Sequence, residues 1–343
     1  MSSHNDKMPL LVKRRIQVTG GSTYIISIPK EWAKLLKIDK GSEVVLELSK
    51  EGWIRITSAT TGRRGQRAID IELNDGLSEA ALLMQIIAAY LAGYDVIRVR
   101  FSPSLSEVAE RVVSQVRSKV LGLELLEESG EQMMLRNVVD LTSMSVESVI
   151  DDLVRVVGSM INEVVDVVSG LKGPEVLEGV TRRDDIVDKL YLYIFKQLNL
   201  ALQGLMSPGE LGMKGLAEVI GLYTMVKSLE RIADQVVSIA QGLSLSLGEM
   251  NPELRDLFKE VSESVGRVLG LVRSRNRAAI LTSYEELHLL AVKLSNYTKA
   301  RSVACEGACY LVMDGLKRIV AQGIDLLEAL MGLEFLKQLE TRG

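Results

Sequence analysis

The first sixty residues alternate between apolar and polar side chains in four short runs, a period typical of half-buried β-strands. Two runs, KRRIQVT and STYIISIP, flank Gly20-Gly21, and two others, SEVVLEL and GWIRIT, flank Lys50-Glu51-Gly52. Between the pairs, Pro29 precedes the helical run KEWAKLLKI, at a position where its missing N–H costs nothing. The predicted order is strand, strand, short helix, strand, strand.

The next stretch switches between strand and helix periods, which predicts a small α+β module of order β-α-β-α-β-β. Its strands are RAIDIEL, DVIRVRF, LELLEES and QMMLRNVVDL. Ser78 is expected to cap the first helix, which ends near Gly93. The stretch contains no glycine-rich phosphate loop and no histidine. Its pattern fits a spacer and a ligand-sensing module equally well.

The remainder of the chain shows apolar residues at three- and four-residue spacing over six long runs, the period of amphipathic helices. Three helices followed by three of similar length indicate an internal duplication. The predicted fold class is multidomain, with a small head of strands and one helix, an α+β module and an all-α bundle. The predicted boundaries are 8–60 for the head, 66–142 for the module and 143–340 for the bundle, with repeats at about 143–248 and 252–340.

Composition narrows the class of protein. Of the 343 residues, 47% are apolar but only 4% aromatic, which favours helix bundles over β-sandwiches. No run approaches the roughly 18 apolar residues of a membrane span, and the start MSSHNDKMPL lacks the apolar core of a signal peptide. Cys305 and Cys309 form no disulfide framework, and their spacing on a regular helix favours thiols. These features predict a cytoplasmic protein.

Charge is distributed unevenly along the chain. From Lys7 to Arg64 there are twelve bases against five acids, so this stretch carries +7 and the rest about −11 of the net −4. The asymmetry suggests a head that binds a polyanion, although an ordinary solvated basic surface would show the same balance. The candidate DNA contacts are Lys13, Arg14, Arg15, Lys30 and Lys34.

The head is too short to bury a sufficient core by itself, and it has neither disulfides nor metal ligands, which leaves oligomerisation. Its basic first strand, ISIPKEWAKLLKI, DKGSEVVLEL and EGWIRI resemble the AbrB/MazE/SpoVT swapped-hairpin family over about residues 8–57. The resemblance implies an obligate two-fold homodimer whose interleaved hairpins bind DNA. The turn GGSTY departs from the short Lys-Gly-Gln-like turn that is frequent in the family.

Acidic residues recur at four-residue spacing on two consecutive predicted helices. KSLERIADQVV holds Glu230 and Asp234, and RRDDIVDKL holds Asp184, Asp185 and Asp188. Residues four apart share a helix face, so antiparallel helices would bring the two acidic pairs opposite each other. Such hard oxygens suit Mg²⁺, Mn²⁺, Ca²⁺ or an iron cluster.

The alternative is an ordinary acidic surface, in which Arg182, Arg183 and Arg231 neutralise these carboxylates as ion pairs. Helical acid pairs at this spacing are common on solvated faces. Spacing alone therefore leaves both interpretations open.

LERIADQVVSIA resembles the signature helix of the PhoU family, phosphate-signalling regulators built from two three-helix repeats, and the match extends over about residues 145–335. The resemblance implies that the five carboxylates ligate metal, Glu230 and Asp234 foremost, with a divalent or ferric ion (Mg, Mn, Zn or Fe) as cofactor. In many members the second-helix motif falls about two turns later, where this chain has Tyr191 and Phe195.

The second repeat departs further from the family pattern. DGLKRIVAQGI aligns with KSLERIADQVV and places Lys317 and Ala321 where the first repeat has its two acids. A lysine repels a cation, so at most the first repeat is expected to bind metal.

Together the resemblances imply an archaeal-type, non-enzymatic, DNA-binding regulator of phosphate uptake. Its bundle would be a metal-binding sensor or would dock a phosphate transporter or a signalling kinase. The alternative is an adaptor that docks on such a partner without binding DNA. A di-iron oxidase is disfavoured, because those sites use Glu-x-x-His pairs and His288 is the only histidine beyond the N-terminal tail.

Overall fold

The computed structural model describes residues 11–48, 52–58, 66–246, 250–300 and 308–340. The chain divides into two compact units, Met1–Gln66 and Arg67–Gly343. The first contains the head, and the second contains both the α+β module and the helical bundle. The predicted multidomain fold class is confirmed.

The head consists of two hairpins on either side of a short helix, in the predicted order. Its elements are β1 (Gln17–Thr19), β2 (Thr23–Ile25), α1 (Lys30–Leu35), β3 (Val44–Leu48) and β4 (Ile54–Ser58). Each hairpin is antiparallel. Gly20 and Gly21 both have positive φ in the first turn, a conformation that suits glycine. The first strand is shorter than predicted, because it begins at Gln17 and its partner strand ends at Ile25.

None of the head side chains that the structure describes is buried. In the second hairpin, Leu46 lies opposite Ile56 and Leu48 opposite Ile54, so the four apolar side chains share one face. Leu46 is nevertheless 64% exposed and Leu48 is 77% exposed. The head of a single chain therefore presents an apolar face without a core behind it.

The module has the predicted β-α-β-α-β-β order. Its elements are β5 (Ala68–Leu73), α2 (Glu79–Ala92), β6 (Val96–Phe101), α3 (Ser106–Lys119), β7 (Leu123–Ser129) and β8 (Gln132–Asn137). The sheet order is β5-β6-β8-β7, with only the β5–β6 pair parallel. Ser78 Oγ caps α2 by accepting a hydrogen bond from the Ala81 N–H at 3.2 Å, and Gly93 ends the helix with φ 88°. Both predicted ends of α2 are confirmed.

The described part of the bundle contains six long helices. They are α4 (Val146–Val168), α5 (Leu177–Leu202), α6 (Glu218–Ser246), α7 (Pro252–Ser274), α8 (Arg277–Ala300) and α9 (Ala308–Glu340). α6 packs against both α5 and α9. An added Cβ on Gly315 would lie 2.6 Å from Ile239 Cγ1, so this glycine permits the close approach of α9 to α6. No helix in the described ranges is long and apolar enough to cross a membrane.

The module and the bundle meet along α5. Leu192 packs against the apolar cores of both. Asn199 Nδ2 donates to the Leu91 carbonyl at 3.1 Å, and Gln203 Nε2 donates to the Ala92 carbonyl at 3.2 Å. These hydrogen bonds satisfy carbonyls at the end of α2 and fix the module against the bundle.

A lysine is buried at this junction. Lys196 is only 2% exposed, and its Nζ has no hydrogen-bond partner among the described residues. The ammonium lies 3.9 Å from the centroid of the Tyr90 ring, a cation–π geometry. Burial lowers the pKa of Lys196 to about 8.

Cys309 near the start of α9 is disulfide-bonded, so the expectation of a thiol is wrong at this position. The other cysteine of the sequence, Cys305, lies outside the described residues.

Candidate functional site

α5 and α6 pack side by side and bring the predicted acidic residues into electrostatic contact. The pKa of Asp184 is raised from 3.8 to about 6, first by burial and then by the charges of Asp188, Asp234, Asp185 and Glu230. The pKa of Asp234 is also raised to about 6, by burial and then by Glu230 and Asp188. The charges of the two acidic pairs therefore act on one another across the α5–α6 contact, and their joint role as ligands stays a prediction.

One oxygen in this acidic cluster has no partner. Oδ1 of Asp184 is buried and accepts no hydrogen bond from the described residues. Leaving a buried carboxylate oxygen unsatisfied costs free energy, which a proton or a bound cation would offset. The carboxylate donors and the orphaned oxygen thus fit a hard cation. As they stand, however, the described side chains form no group of three or more His, Cys, Asp or Glu arranged to hold a metal ion, and metal binding stays a prediction.

Two lysines of the described ranges contact the cluster. Lys227 Nζ lies 2.7 Å from Glu230 Oε2 within α6, and Lys119 Nζ, at the end of α3 in the module, lies 3.1 Å from Asp188 Oδ2. Lys119 therefore links the module directly to the acidic cluster. The three-residue spacing of Lys227 and Glu230 could have been recognised in the sequence, whereas Lys119 is 69 residues from its partner and no local pattern connects them.

Two of the arginines considered as counter-ions of the acidic cluster form ion pairs with acids outside it. Arg182 pairs with Glu178 one turn earlier on α5, with an N–O distance of 3.0 Å. Arg183 pairs with Glu163 on α4, with Nη2 3.0 Å from Oε1. Arg231 lowers the pKa of Asp234, but less than burial and the neighbouring acids raise it. Neutralisation by Arg182 and Arg183 is therefore wrong, because each finds a closer acid.

Aromatic rings of α5 and α6 lie beside the cluster. The ring centroids of Tyr191 and Phe195 are 5.9 Å apart, and those of Phe195 and Tyr223 are 5.0 Å apart. Lys227 Nζ lies 4.7 Å from the Tyr191 centroid. The side chains one to two turns beyond Asp188 on α5 are thus aromatic rings rather than carboxylates.

The remaining candidate residues are accessible or lie in the second repeat. Asp185 is exposed on α5, on the rim of the cluster. Lys317 and Ala321 lie on α9, and Glu286 on the preceding helix forms an ion pair with Arg267. The second repeat therefore offers no equivalent acid pair at the aligned positions.

The five candidate DNA contacts lie in the head, and all of them are exposed. None forms an ion pair with another residue that the structure describes. Their charges are therefore available to a polyanion, and their contact with DNA stays a prediction. They are Lys13, Arg14, Arg15, Lys30 and Lys34.

The solved structures that are similar to this chain include two PhoU proteins. The crystal structure of PhoU from Pseudomonas aeruginosa is 17% identical and covers 55% of this chain and 95% of that chain, with a TM-score of 0.45. The phosphate transport system regulatory protein PhoU from Streptococcus pneumoniae is 17% identical and covers 55% of this chain and 93% of that chain, with a TM-score of 0.42. No curated protein matches the chain.

Two family models match separate parts of the sequence. The PhoU domain model matches residues 150–243, which include the acidic cluster on α5 and α6. The model of MazE, a bacterial antitoxin that recognises its toxin, matches residues 17–63 of the head. Both predicted resemblances are confirmed, and the archaeal type stays a prediction. The chain is therefore similar to the MazE antitoxin in its head and to the PhoU domain in the first half of its helical bundle.

Proposed function

We propose that the protein is a homodimeric, DNA-binding regulator of phosphate uptake, without enzymatic activity, that works in the cytoplasm. The head binds DNA, and the bundle is a metal-binding sensor or docks a protein partner. The observation that carries the proposal is the apolar face of the head, which stays exposed in a single chain although the hairpins themselves are formed.

A second copy of the chain is the partner that completes this face. The MazE match lies on the same residues, and an antitoxin-type hairpin segment fits an interleaved dimer. Burying apolar surface contributes about 25 cal/mol per Å², so two such faces stabilise one another on association. Two-fold symmetry then presents paired basic segments, which suit an operator with inverted half-sites.

The test of DNA binding is its dependence on salt. We expect the full chain to bind the DNA upstream of its own coding region with an affinity that falls steeply as salt concentration rises. The variant with Arg14→Ala and Arg15→Ala is expected to bind more weakly and with a shallower slope, by about one unit per lost phosphate contact. Arg155→Ala is the control, because Arg155 is exposed on α4. An unchanged slope in the double variant contradicts the assignment of these arginines.

The acidic cluster is the proposed metal site. Asp184, Asp188, Glu230 and Asp234 would hold a Mg, Mn, Zn or Fe ion, with Asp185 at the rim. The ion would supply positive charge to carboxylates that otherwise repel one another. Elemental analysis of protein purified without chelator tests this assignment. A strongly substoichiometric metal content, with several chains for each ion, contradicts it.

One observation favours the adaptor as a second candidate. Leu281, Leu289 and Val292 are exposed on α8 at spacings that place them on one helix face, and clustered exposed apolar residues mark interaction surfaces. If the full chain leaves its upstream DNA unshifted but binds a phosphate transporter or a signalling kinase through α8, the adaptor replaces the regulator.

A further inference from the structure

A cleft opens in the bundle where the ends of several helices meet, and none of its lining residues belongs to the acidic cluster. Its walls come from the start of α4, the loop that precedes α6, the end of α7 and the last turns of α9. Its cavity volume is about 170 Å³, whereas sites for drug-sized ligands typically span roughly 300–1,000 Å³. The cleft therefore suits an ion or a compact molecule.

Four basic side chains line this cleft: Lys214 in the loop, Arg273 and Arg275 at the end of α7, and Lys337 on α9. None of them forms an ion pair or a side-chain hydrogen bond with any part of the chain that the structure describes. They converge from both repeats of the bundle. Four unpaired cations around one small cavity are an arrangement that recognises an anion.

Arg275 occupies a backbone conformation that is unfavourable for its type. It ends α7 with φ 46° and ψ 35°, in the left-handed region where helices usually place glycine. Non-glycine residues in this region cluster at functional sites. The guanidinium of Arg275 lines the cleft. A role in binding there would explain why arginine occupies a position where glycine would be less strained.

Three acids share the cleft and decide which anion it accepts. Glu218 is already used, because its Oε2 accepts a hydrogen bond from the Lys214 N–H at 2.9 Å. Glu147 and Asp151, one turn apart on α4, form no ion pair within the described ranges. A carboxylate only accepts hydrogen bonds. A phosphate group keeps a proton over part of the neutral range and can donate it, whereas sulfate has none to donate.

We propose that this cleft binds a phosphate group, either as inorganic phosphate or as a compact phosphate monoester. Lys214, Arg273, Arg275 and Lys337 hold its oxygens, and Glu147 and Asp151 accept a hydrogen bond from its P–OH group. The inference deepens the proposed function by naming the effector, and its biological meaning rests on that function. A phosphate bound here contacts both repeats of the bundle at once.

The test is calorimetric titration of the full chain with inorganic phosphate and, separately, with glycerol phosphate as the monoester. We expect saturable binding of at least one of them. Arg275→Gly is expected to weaken it at least about tenfold, the effect of losing one charge-assisted hydrogen bond, without lowering the melting temperature, because glycine adopts the left-handed conformation freely. Arg273→Gln is a second variant with the same expected loss, and Arg155→Gln on α4 is the unaffected control.

Sulfate is the matched competitor. We expect sulfate to bind more weakly than phosphate, and the double variant with Glu147→Gln and Asp151→Asn to narrow that difference. The inference is overturned if neither phosphate compound binds, if both arginine variants retain full affinity, or if sulfate binds as tightly as phosphate to the unmodified chain.

The result is separable from DNA binding. The variant with Arg14→Ala and Arg15→Ala is expected to bind phosphate normally, because both changes lie in the head. DNA binding with no phosphate binding would overturn the inference and leave the regulator proposal standing. If the chain binds phosphate, loses this binding on Arg275→Gly and does not bind DNA, the inference is supported and the proposal of DNA binding is overturned.

Discussion

Replacing Asp184 with asparagine is expected to stabilise the metal-free protein. The side chain keeps its shape and loses a charge that is half-buried among Asp188, Asp234 and Glu230. The pKa of Asp184 is raised from 3.8 to about 6, so the folded protein binds more protons than the unfolded chain between these pH values. The stability of the folded protein therefore falls as pH rises through that window, and the full destabilisation by the ionised Asp184 is present above about pH 6.

The size of the effect follows from the shift. The difference between 3.8 and about 6 in the pKa of Asp184 corresponds to at most about 3 kcal/mol. Because the side chain is only half-buried, solvent screening reduces this to about 1 kcal/mol. For a unit of this size, that gain raises the melting temperature by roughly 2–4 °C.

The assay is thermal unfolding of chelator-treated protein at pH 7.5 and at pH 4. Asp184→Asn is expected to raise the melting temperature at pH 7.5. At pH 4 it is expected to leave the melting temperature nearly unchanged, because the Asp184 carboxyl of the folded protein is largely protonated there. Asp185→Asn is the matched control, because this neighbour is exposed and its replacement is expected to change stability little. A destabilised variant at pH 7.5, or an equal gain at both pH values, would refute the reasoning.

Two further outcomes follow from lysines at the module–bundle junction. Lys119→Met is expected to raise the affinity for added Mn²⁺ severalfold in calorimetry, because Lys119 no longer competes for Asp188, and an unchanged affinity would exclude that competition. Lys196→Met is expected to raise the free energy of unfolding by roughly 1–3 kcal/mol at pH 7, since a buried charge is replaced by an apolar chain. Burial lowers the pKa of Lys196 to about 8 from 10.5, so the unmodified protein should also gain stability as pH rises between these values, and the variant should lack this gain. The free energy of unfolding is measured by denaturant titration. A variant that is less stable than the unmodified protein would contradict this account.

Local patterns were sufficient to predict the order of elements. The alternating runs of the head and module became strands, and Ser78 and Gly93 mark the ends of α2 as expected. The four-residue spacing of Glu230 and Asp234 predicted a shared helix face. Because α6 packs on α5, both charges act on Asp184. These features depend on residues a few positions apart, which is the range that periodicity and capping can report.

Features set by tertiary packing were not predictable in the same way. Arg183 could have paired with several acids, and it pairs with Glu163 because α4 packs beside α5. The contact of Lys119 with Asp188 depends on how α3 of the module docks on the bundle. The cleft lined by Arg273 and Arg275 forms only where both repeats meet. Each depends on segments far apart in the chain, whose proximity no local pattern encodes.

The central claim is that the head completes its core with a second copy and only then binds DNA. Sedimentation velocity of the full chain, followed by DNA titration of the same samples, tests it most directly with Leu46→Asp. Leu171→Asp is the control, because Leu171 is 76% exposed between α4 and α5 of the bundle. The account expects the unmodified chain and the control to sediment as dimers that bind DNA, and Leu46→Asp to sediment as a monomer that does not. A Leu46→Asp protein that remains dimeric and binds DNA with unchanged affinity would contradict the account.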